Sequence, residues 1–187
     1  MALTNPGQIF SGATKRAYEI GAQLPRKSFD VSKYQNLGAM PTANTTPRNV
    51  STDFAQLGNI TTDYGGTTRY EKFHPALDVA NKIGTAIPSF SSGTVVEAVT
   101  GKKQGDKGYG NYVIVKDNQG NSWRYSHLNN AFVKVGSQVA KGAVIGEMGN
   151  TGSAYSTSGG TGSHLDLRIK NAYNKYVSPY SAMKAAT

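Results

Sequence analysis

A histidine and an aspartate bracket a proline in the segment from Phe73 to Val79. A residue that precedes proline is restricted to extended conformations, so His74 is predicted to lie in a loop that enters a strand. From such an irregular segment, His74 and Asp78 can both reach one metal ion. The alternative for this segment taken alone is a loop histidine beside an unrelated surface aspartate.

A second candidate segment is the strand-like run from His164 to Ile169. Alternate residues of a strand point to opposite faces, so His164, Asp166 and Arg168 share one face. The apolar residues between them share the other face, which is predicted to pack in the core. This pattern places His164 and Asp166 at a cleft, although a solvated polar face is the alternative when the strand is considered alone.

The remaining histidine, His127, ends the run Trp123 to Leu128, in which Trp123, Tyr125 and His127 are predicted to share a face. A lone histidine at the end of a strand is more often structural. However, the chain has only three histidines, and each lies in a segment with its own site-like features. The chain also has no cysteine, so histidines and carboxylates are its only strong metal donors.

The elements that would carry these residues are short β runs separated by glycine-rich turns. Five runs are predicted: Gly93 to Val99, Asn111 to Asp117, Ser122 to Leu128, Val144 to Met148 and His164 to Ile169. The turn residues from Asp117 to Asn121 predict a hairpin between two of them. The sequence therefore predicts an all-β fold, an antiparallel β-sandwich or barrel-like sheet, which its 22 glycines and 11 tyrosines also favour.

Residues 1–57 are poor in apolar periodicity and rich in Thr, Asn, Ala, Gly and Pro, which predicts an extended arm or linker. A short helix is predicted from Ala13 to Gln23. An arm that cannot bury enough surface alone needs a partner, which indicates an assembly. The predicted organisation is this arm at 1–57, one domain at 58–180 and a C-terminal tail at 181–187.

The net charge of +9, from 20 basic and 11 acidic residues, favours a polyanionic neighbour such as nucleic acid, an anionic membrane or a cell wall. No basic stripe or tail stands out, so a nucleic-acid partner is disfavoured. No signal peptide is recognised at the N-terminus, and no segment approaches the roughly 20 apolar residues of a membrane span.

From about Gly58 to Pro179 the motifs resemble, in order, those of the lysostaphin-like zinc endopeptidases that cut peptidoglycan cross-links. The matching segments are Tyr64-Gly65, His74 to Asp78, Gly84 to Ile87, Gly93 to Val96, Gly108 to Val113, Tyr125 to Leu128, Gly149 to Gly152 and His164 to Asp166. The resemblance implies an antiparallel sheet core of the lysostaphin-like peptidase type, and the extended N-terminal arm predicted from composition precedes it.

The resemblance also implies roles for five residues. His74 and Asp78 would bind zinc, with the third ligand at the position of Asp166. His164 would be the general base that takes a proton from the attacking water, and His127 would polarise or stabilise the oxyanion. Such a site uses three protein ligands and keeps an open position.

The chain departs from the family pattern at the third ligand, where Asp166 replaces the second histidine of a His-x-His pair. A carboxylate binds zinc, but a second anionic ligand makes the metal less electrophilic and favours a harder ion such as Mn²⁺. The alternative is a site that has lost activity. Ala76 replaces a glycine, and the loop from Thr151 to Gly162 is longer than the pattern. This loop is predicted to lie at the rim of the cleft, where Tyr155 would shape which cross-bridge enters. The alternative is a flexible Gly/Ser loop with no role.

The function predicted from this resemblance is a metal-dependent endopeptidase acting on bacterial peptidoglycan. The lack of a recognised signal peptide and the low-complexity arm favour a component of a phage particle that opens the wall. Residues 1–57 would then contact other virion proteins. The alternative is a weakly active or inactive lysostaphin-like domain that serves as a structural or wall-binding virion component.

Overall fold

The computed structural model of the 187-residue chain describes residues 50–156 and 159–185, with side chains from Phe54 onward. The predicted helix from Ala13 to Gln23 and most of the predicted arm lie outside the described residues. The division of the chain at residue 57 stays a prediction. Within the described part, no helix is long and apolar enough to cross a membrane.

Ten strands and two short helices form the described part of the chain. In order they are α1 (Val50–Leu57), β1 (Asn59–Thr62), β2 (Leu77–Ala80), β3 (Ala86–Pro88), β4 (Gly93–Val99), β5 (Asn111–Asp117), β6 (Ser122–Ala131), β7 (Gln138–Val139), β8 (Val144–Met148), β9 (His164–Lys170), β10 (Tyr176–Val177) and α2 (Pro179–Ala185). The predicted all-β class is confirmed, and three of the five predicted runs have the observed bounds, while β6 and β9 extend further.

The strands pair in the order β1-β2-β9-β6-β5-β4-β7, and β8 pairs with both β3 and β6. Every pairing between these strands is antiparallel. The predicted hairpin is confirmed, because β5 and β6 are neighbours joined by the turn that contains Gly120 at φ 82°. The strands that carry the candidate site residues, β2, β9 and β6, lie side by side in this sheet.

The core lies on one face of these central strands. It is built from alternate residues such as Leu77 of β2, Leu165 and Leu167 of β9 and Trp123 of β6, none of which is exposed. Phe54 of α1 joins the same core and contacts the ring of Phe90 at 4.9 Å. Burial of this face fixes the register of the strands, because a slip of one residue would turn every apolar side chain to the opposite side.

The opposite face of the same strands carries polar residues in one row. Asp78 of β2 lies opposite Asp166 of β9, which in turn lies opposite Ser126 of β6. The next row of this face contains Arg124 opposite Arg168. The prediction that His164, Asp166 and Arg168 share a face away from the core leucines agrees with this register.

The prediction that Trp123, Tyr125 and His127 share a face is wrong. Trp123 and Tyr125 lie in the core, whereas His127 has a φ of 61° and its ring lies 4.7 Å from that of His164. A positive φ in a non-glycine residue interrupts the alternation of the strand. The backbone therefore turns at His127, which brings its imidazole to the polar face.

Candidate metal centre

Three possible metal ligands converge at the row of polar residues. One ligand atom from each of His74, Asp78 and Asp166 lies within 4.8 Å of the others. All three side chains are buried, at 4%, 9% and 2% exposure. Because Asp78 and Asp166 lie directly opposite each other on paired strands, their like charges oppose folding unless a cation balances them.

His74 is oriented by a carboxylate that the sequence did not reveal. Its Nδ1 lies 2.8 Å from Oε2 of Glu71, which can only accept when it is ionised, so Nδ1 carries the hydrogen. The lone pair of the neutral ring is then on Nε2. A carboxylate that holds a histidine in this tautomer is the usual outer partner of a metal-binding imidazole.

The inner side of His74 fits a metal ion. Its Nε2 and Oδ1 of Asp78 are 3.0 Å apart, yet among the described residues neither atom has a hydrogen-bond partner. Two buried acceptors at this distance require a cation or a proton near both. Ligand atoms about 2.0 Å from a tetrahedral zinc are about 3.3 Å apart, so the observed separation suits such an ion. Imidazole and carboxylate donors are also the chemistry that zinc accepts.

Asp166 is balanced by an arginine on its own strand. Arg168 Nε lies 3.1 and 3.0 Å from the two carboxylate oxygens, and its Nη2 lies 3.0 Å from Oδ2. Burial alone would raise the pKa of Asp166, but the neighbouring guanidinium outweighs burial and holds that pKa below its usual value of 3.8. Asp166 is therefore an anion in the folded protein at neutral pH.

The rings of the other two histidines, His127 and His164, lie 4.7 Å apart, and each Nδ1 donates to a backbone carbonyl. Nδ1 of His127 donates to the carbonyl of Thr151 at 2.7 Å, and Nδ1 of His164 donates to the carbonyl of Gly162 at 2.8 Å. A carbonyl can only accept, so both neutral rings have an acceptor at Nε2. Burial, together with the charge of His164, lowers the pKa of His127, which favours its neutral form.

A glycine makes the contact that orients His127 possible. Gly110 has a φ of 63°, and a Cβ there would lie 2.3 Å from the carbonyl oxygen of Thr151. The same turn fixes the backbone of His127, whose N–H donates to the carbonyl of Tyr109 at 2.9 Å. The close approach at Gly110 therefore holds the loop that contains Thr151 beside the ring of His127.

Two residues near the centre were missed as functional candidates. Arg168 could have been recognised from the sequence, since it lies two positions after Asp166 on the same strand face and carries the opposite charge. Glu71 could not have been recognised, because it lies in a loop, where neither helix nor strand periodicity indicates which side chains meet. The predicted rim residue Tyr155 is 60% exposed, and its ring lies 6.1 Å from that of Tyr70, so it forms part of an aromatic pair.

Comparison with known proteins bears on this centre. The sequence profile of peptidase family M23 matches residues 72–179, more than half of the 187 residues and the whole span that carries the three histidines. The chain belongs to peptidase family M23. Its predicted resemblance to the lysostaphin-like peptidases is therefore confirmed.

Individual M23 proteins show the same likeness. The chain is 33% identical over 105 residues to endolysin 2638A of Staphylococcus phage 2638A, covering 54% of this chain and 20% of the endolysin. It is 35% identical over 114 residues to the peptidoglycan DD-endopeptidase ShyA of Vibrio cholerae, covering 60% and 23%. The structure of lysostaphin from Staphylococcus simulans aligns with a TM-score of 0.55 at 29% identity, covering 71% of this chain and 52% of lysostaphin.

The chain thus spans about a fifth to a quarter of the length of these two curated relatives. The centre of His74, Asp78 and Asp166 lies within the matched residues.

The pKa of His74 gives the metal-free M23 centre a predictable dependence on pH. Burial opposes the imidazolium, but Asp78, Glu71 and Asp166 outweigh it and raise the pKa above 6.5. A raised pKa stabilises the folded state fully below the unfolded value, and this contribution is lost as pH rises through the folded pKa. In the presence of a chelator, the free energy of unfolding of wild type is therefore expected to exceed that of His74→Gln by more at about pH 5.5 than at about pH 8.5.

Urea unfolding of both proteins at the two pH values measures this difference. The comparison isolates His74 from His127, since the lowered pKa of His127 acts in the opposite direction and is present in both proteins. An equal advantage at both pH values would contradict the ion pair between His74 and its carboxylates.

Proposed function

We propose that this chain is a zinc-dependent endopeptidase that hydrolyses peptide cross-links of bacterial peptidoglycan. The observation that carries the proposal is the pair of buried acceptors, His74 Nε2 and Asp78 Oδ1, that lie 3.0 Å apart beside the carboxylate of Asp166. The two acceptors require a proton or a cation between them, and a metal ion supplies that positive charge while the imidazole stays neutral. Mn²⁺ is the alternative ion, since two of the three ligands are carboxylates.

The three ligands would hold the metal and leave a position open toward the cleft. When bound, zinc supplies a Lewis acid that polarises the scissile carbonyl and lowers the pKa of a water molecule at that position. The protein supplies the ligands, their orientation by Glu71 and Arg168, and the two imidazoles at the other side of the centre.

His164 is proposed as the general base. Its Nε2 is an acceptor because Nδ1 donates to Gly162, so it can take a proton from the attacking water. The water oxygen adds to the carbonyl carbon, the C–N bond breaks, and the proton is delivered to the leaving amine. The products are a carboxylic acid and an amine, which at neutral pH are a carboxylate and an ammonium group.

His127 is proposed to stabilise the oxyanion, but its tautomer adds a condition. With Nδ1 donating to Thr151, the neutral ring has no hydrogen on Nε2 and cannot donate there. It can donate to an oxyanion only after it gains a proton, which burial disfavours in the resting site. His127 therefore acts once charge develops in the cleft and not before.

The proposal is tested by metal content and peptidoglycan digestion measured on the same preparations. Elemental analysis of wild type is expected to give about one zinc or manganese per chain, and His74→Ala to give none. Asp106→Asn, which removes an exposed carboxylate, is the matched control and keeps the metal. Purified sacculi treated with wild type gain free amino groups, and those treated with His74→Ala do not.

Absence of metal from wild type, even after incubation with Zn²⁺, would overturn the enzyme proposal. It would leave the structural or wall-binding module as the better account of the chain. Metal without release of amino groups would also contradict it.

We further propose that the enzyme is carried on a phage particle, with residues 1–57 contacting other virion proteins. Similarity to a Staphylococcus phage endolysin supports a phage origin, and the basic net charge of +9 suits an anionic wall. Mass spectrometry of purified particles tests this proposal. Absence of the protein from the particles, together with its export by the host, would contradict it.

A further inference from the structure

A buried ion pair between Asp166 and Arg168 occupies the third ligand position. Asp166 and Arg168 are 2% and 8% exposed, and both oxygens of the carboxylate are within 3.1 Å of the guanidinium. Ser126 Oγ adds a weaker donor to Oδ1 at 3.4 Å. A two-pronged contact of this kind fixes a carboxylate in direction as well as in charge.

The same guanidinium reaches the outer partner of His74. Arg168 Nη1 lies 3.4 Å from Oε1 of Glu71, and Oε2 of Glu71 lies 2.8 Å from Nδ1 of His74. Two of the three candidate ligands, which come from a loop and from β9, are therefore joined through one continuous chain of polar contacts. A change at Arg168 would reach both ligands.

The charges explain why such a chain is needed. With His74 neutral, the three ligands carry two negative charges, and these face each other across paired strands. Arg168 cancels one of them, so that Asp166 together with its partner is equivalent in charge to a neutral donor. A centre with less negative charge holds a more electrophilic ion, whereas a bare second carboxylate favours harder cations.

We propose that Arg168 is a positioning residue for the metal centre, which holds Asp166 in one orientation and sets the preference of the site for zinc over harder divalent ions. This inference rests on the metal centre of the proposed function. It assigns no contact between Arg168 and the substrate.

The test is the ratio of zinc to manganese affinity, measured on metal-free protein by competition with a chromophoric chelator. In Arg168→Gln this ratio is expected to move toward manganese by about tenfold or more, the usual scale for loss of an outer partner. Arg168→Lys keeps the charge but not the two-pronged contact, so its shift has the same direction and a smaller size.

Arg124→Gln is the matched control. Arg124 lies opposite Arg168 in the register of β6 and β9, and both guanidiniums face the ring of Tyr109, at 3.4 and 5.2 Å. No hydrogen bond from Arg124 to a candidate ligand is found among residues 50–156 and 159–185. Its replacement removes an equal charge from the same face and is expected to leave the ratio close to that of wild type.

An unchanged ratio in Arg168→Gln, or an equal shift in Arg124→Gln, would overturn the inference while leaving the enzyme proposal intact. Circular dichroism checks that each variant is folded. If Arg168→Gln does not fold, a wild-type ratio in Arg168→Lys overturns the inference. If wild type binds neither metal, the inference fails together with the proposed function.

Discussion

Replacing His164 by alanine is expected to lower peptidoglycan hydrolysis by about a hundredfold to ten-thousandfold, the usual contribution of a positioned general base. The structure gives the reason, since Nδ1 is committed to the carbonyl of Gly162 and Nε2 remains to accept a proton. His164 is not among the three ligand residues that cluster within 4.8 Å. The variant should therefore lose activity without losing metal.

The measurement is the rate at which free amino groups appear in purified sacculi, with metal content determined on the same samples. His127→Ala is the informative comparison, because its ring is adjacent to that of His164 and has the same tautomer. If His164→Ala kept nearly full activity and His127→Ala lost it, the two proposed roles would be exchanged. Loss of metal from His164→Ala would instead make it a ligand.

Much of the fold could be predicted because its central strands alternate cleanly. In β9 the apolar residues Leu165 and Leu167 alternate with Asp166 and Arg168, and the leucines lie in the core as that pattern predicts. The alternation is one of faces and not of exposure, because the two polar residues are buried as well. The run of β6 also alternates, but only as far as Ser126. At His127 a positive φ ends the alternation, and a residue other than glycine gives no sign in the sequence of adopting that conformation.

The candidate centre was partly predictable for a related reason. The spacing of His74 and Asp78 and the face shared by His164 and Asp166 were visible, because each depends on local backbone geometry. Glu71 was not visible as the partner of His74, since that contact is formed by the path of a loop. The tautomer of His127 depends on the carbonyl of Thr151, 24 residues away in the sequence, which no local pattern indicates.

Replacing Asp166 by asparagine is expected to have the largest effect on the protein as a whole. Asparagine keeps the volume but removes the charge that balances Arg168, which is 8% exposed. Loss of one partner from a buried pair costs about 3–5 kcal/mol, and Arg168 would keep only its longer contacts to Glu71. Zinc affinity falls as well, since the site loses an anionic ligand and gains net positive charge.

The double variant Asp166→Asn/Arg168→Met separates these two effects. Urea unfolding of the metal-free proteins should show that removing the arginine as well recovers much of the lost stability, because no buried charge is then left unpaired. Metal affinity should not recover, because the third ligand, the carboxylate of Asp166, is still absent. Recovery of stability and metal affinity together would mean that Asp166 serves only to pair Arg168. Recovery of stability alone would mean that the carboxylate of Asp166 balances the arginine and also binds the metal.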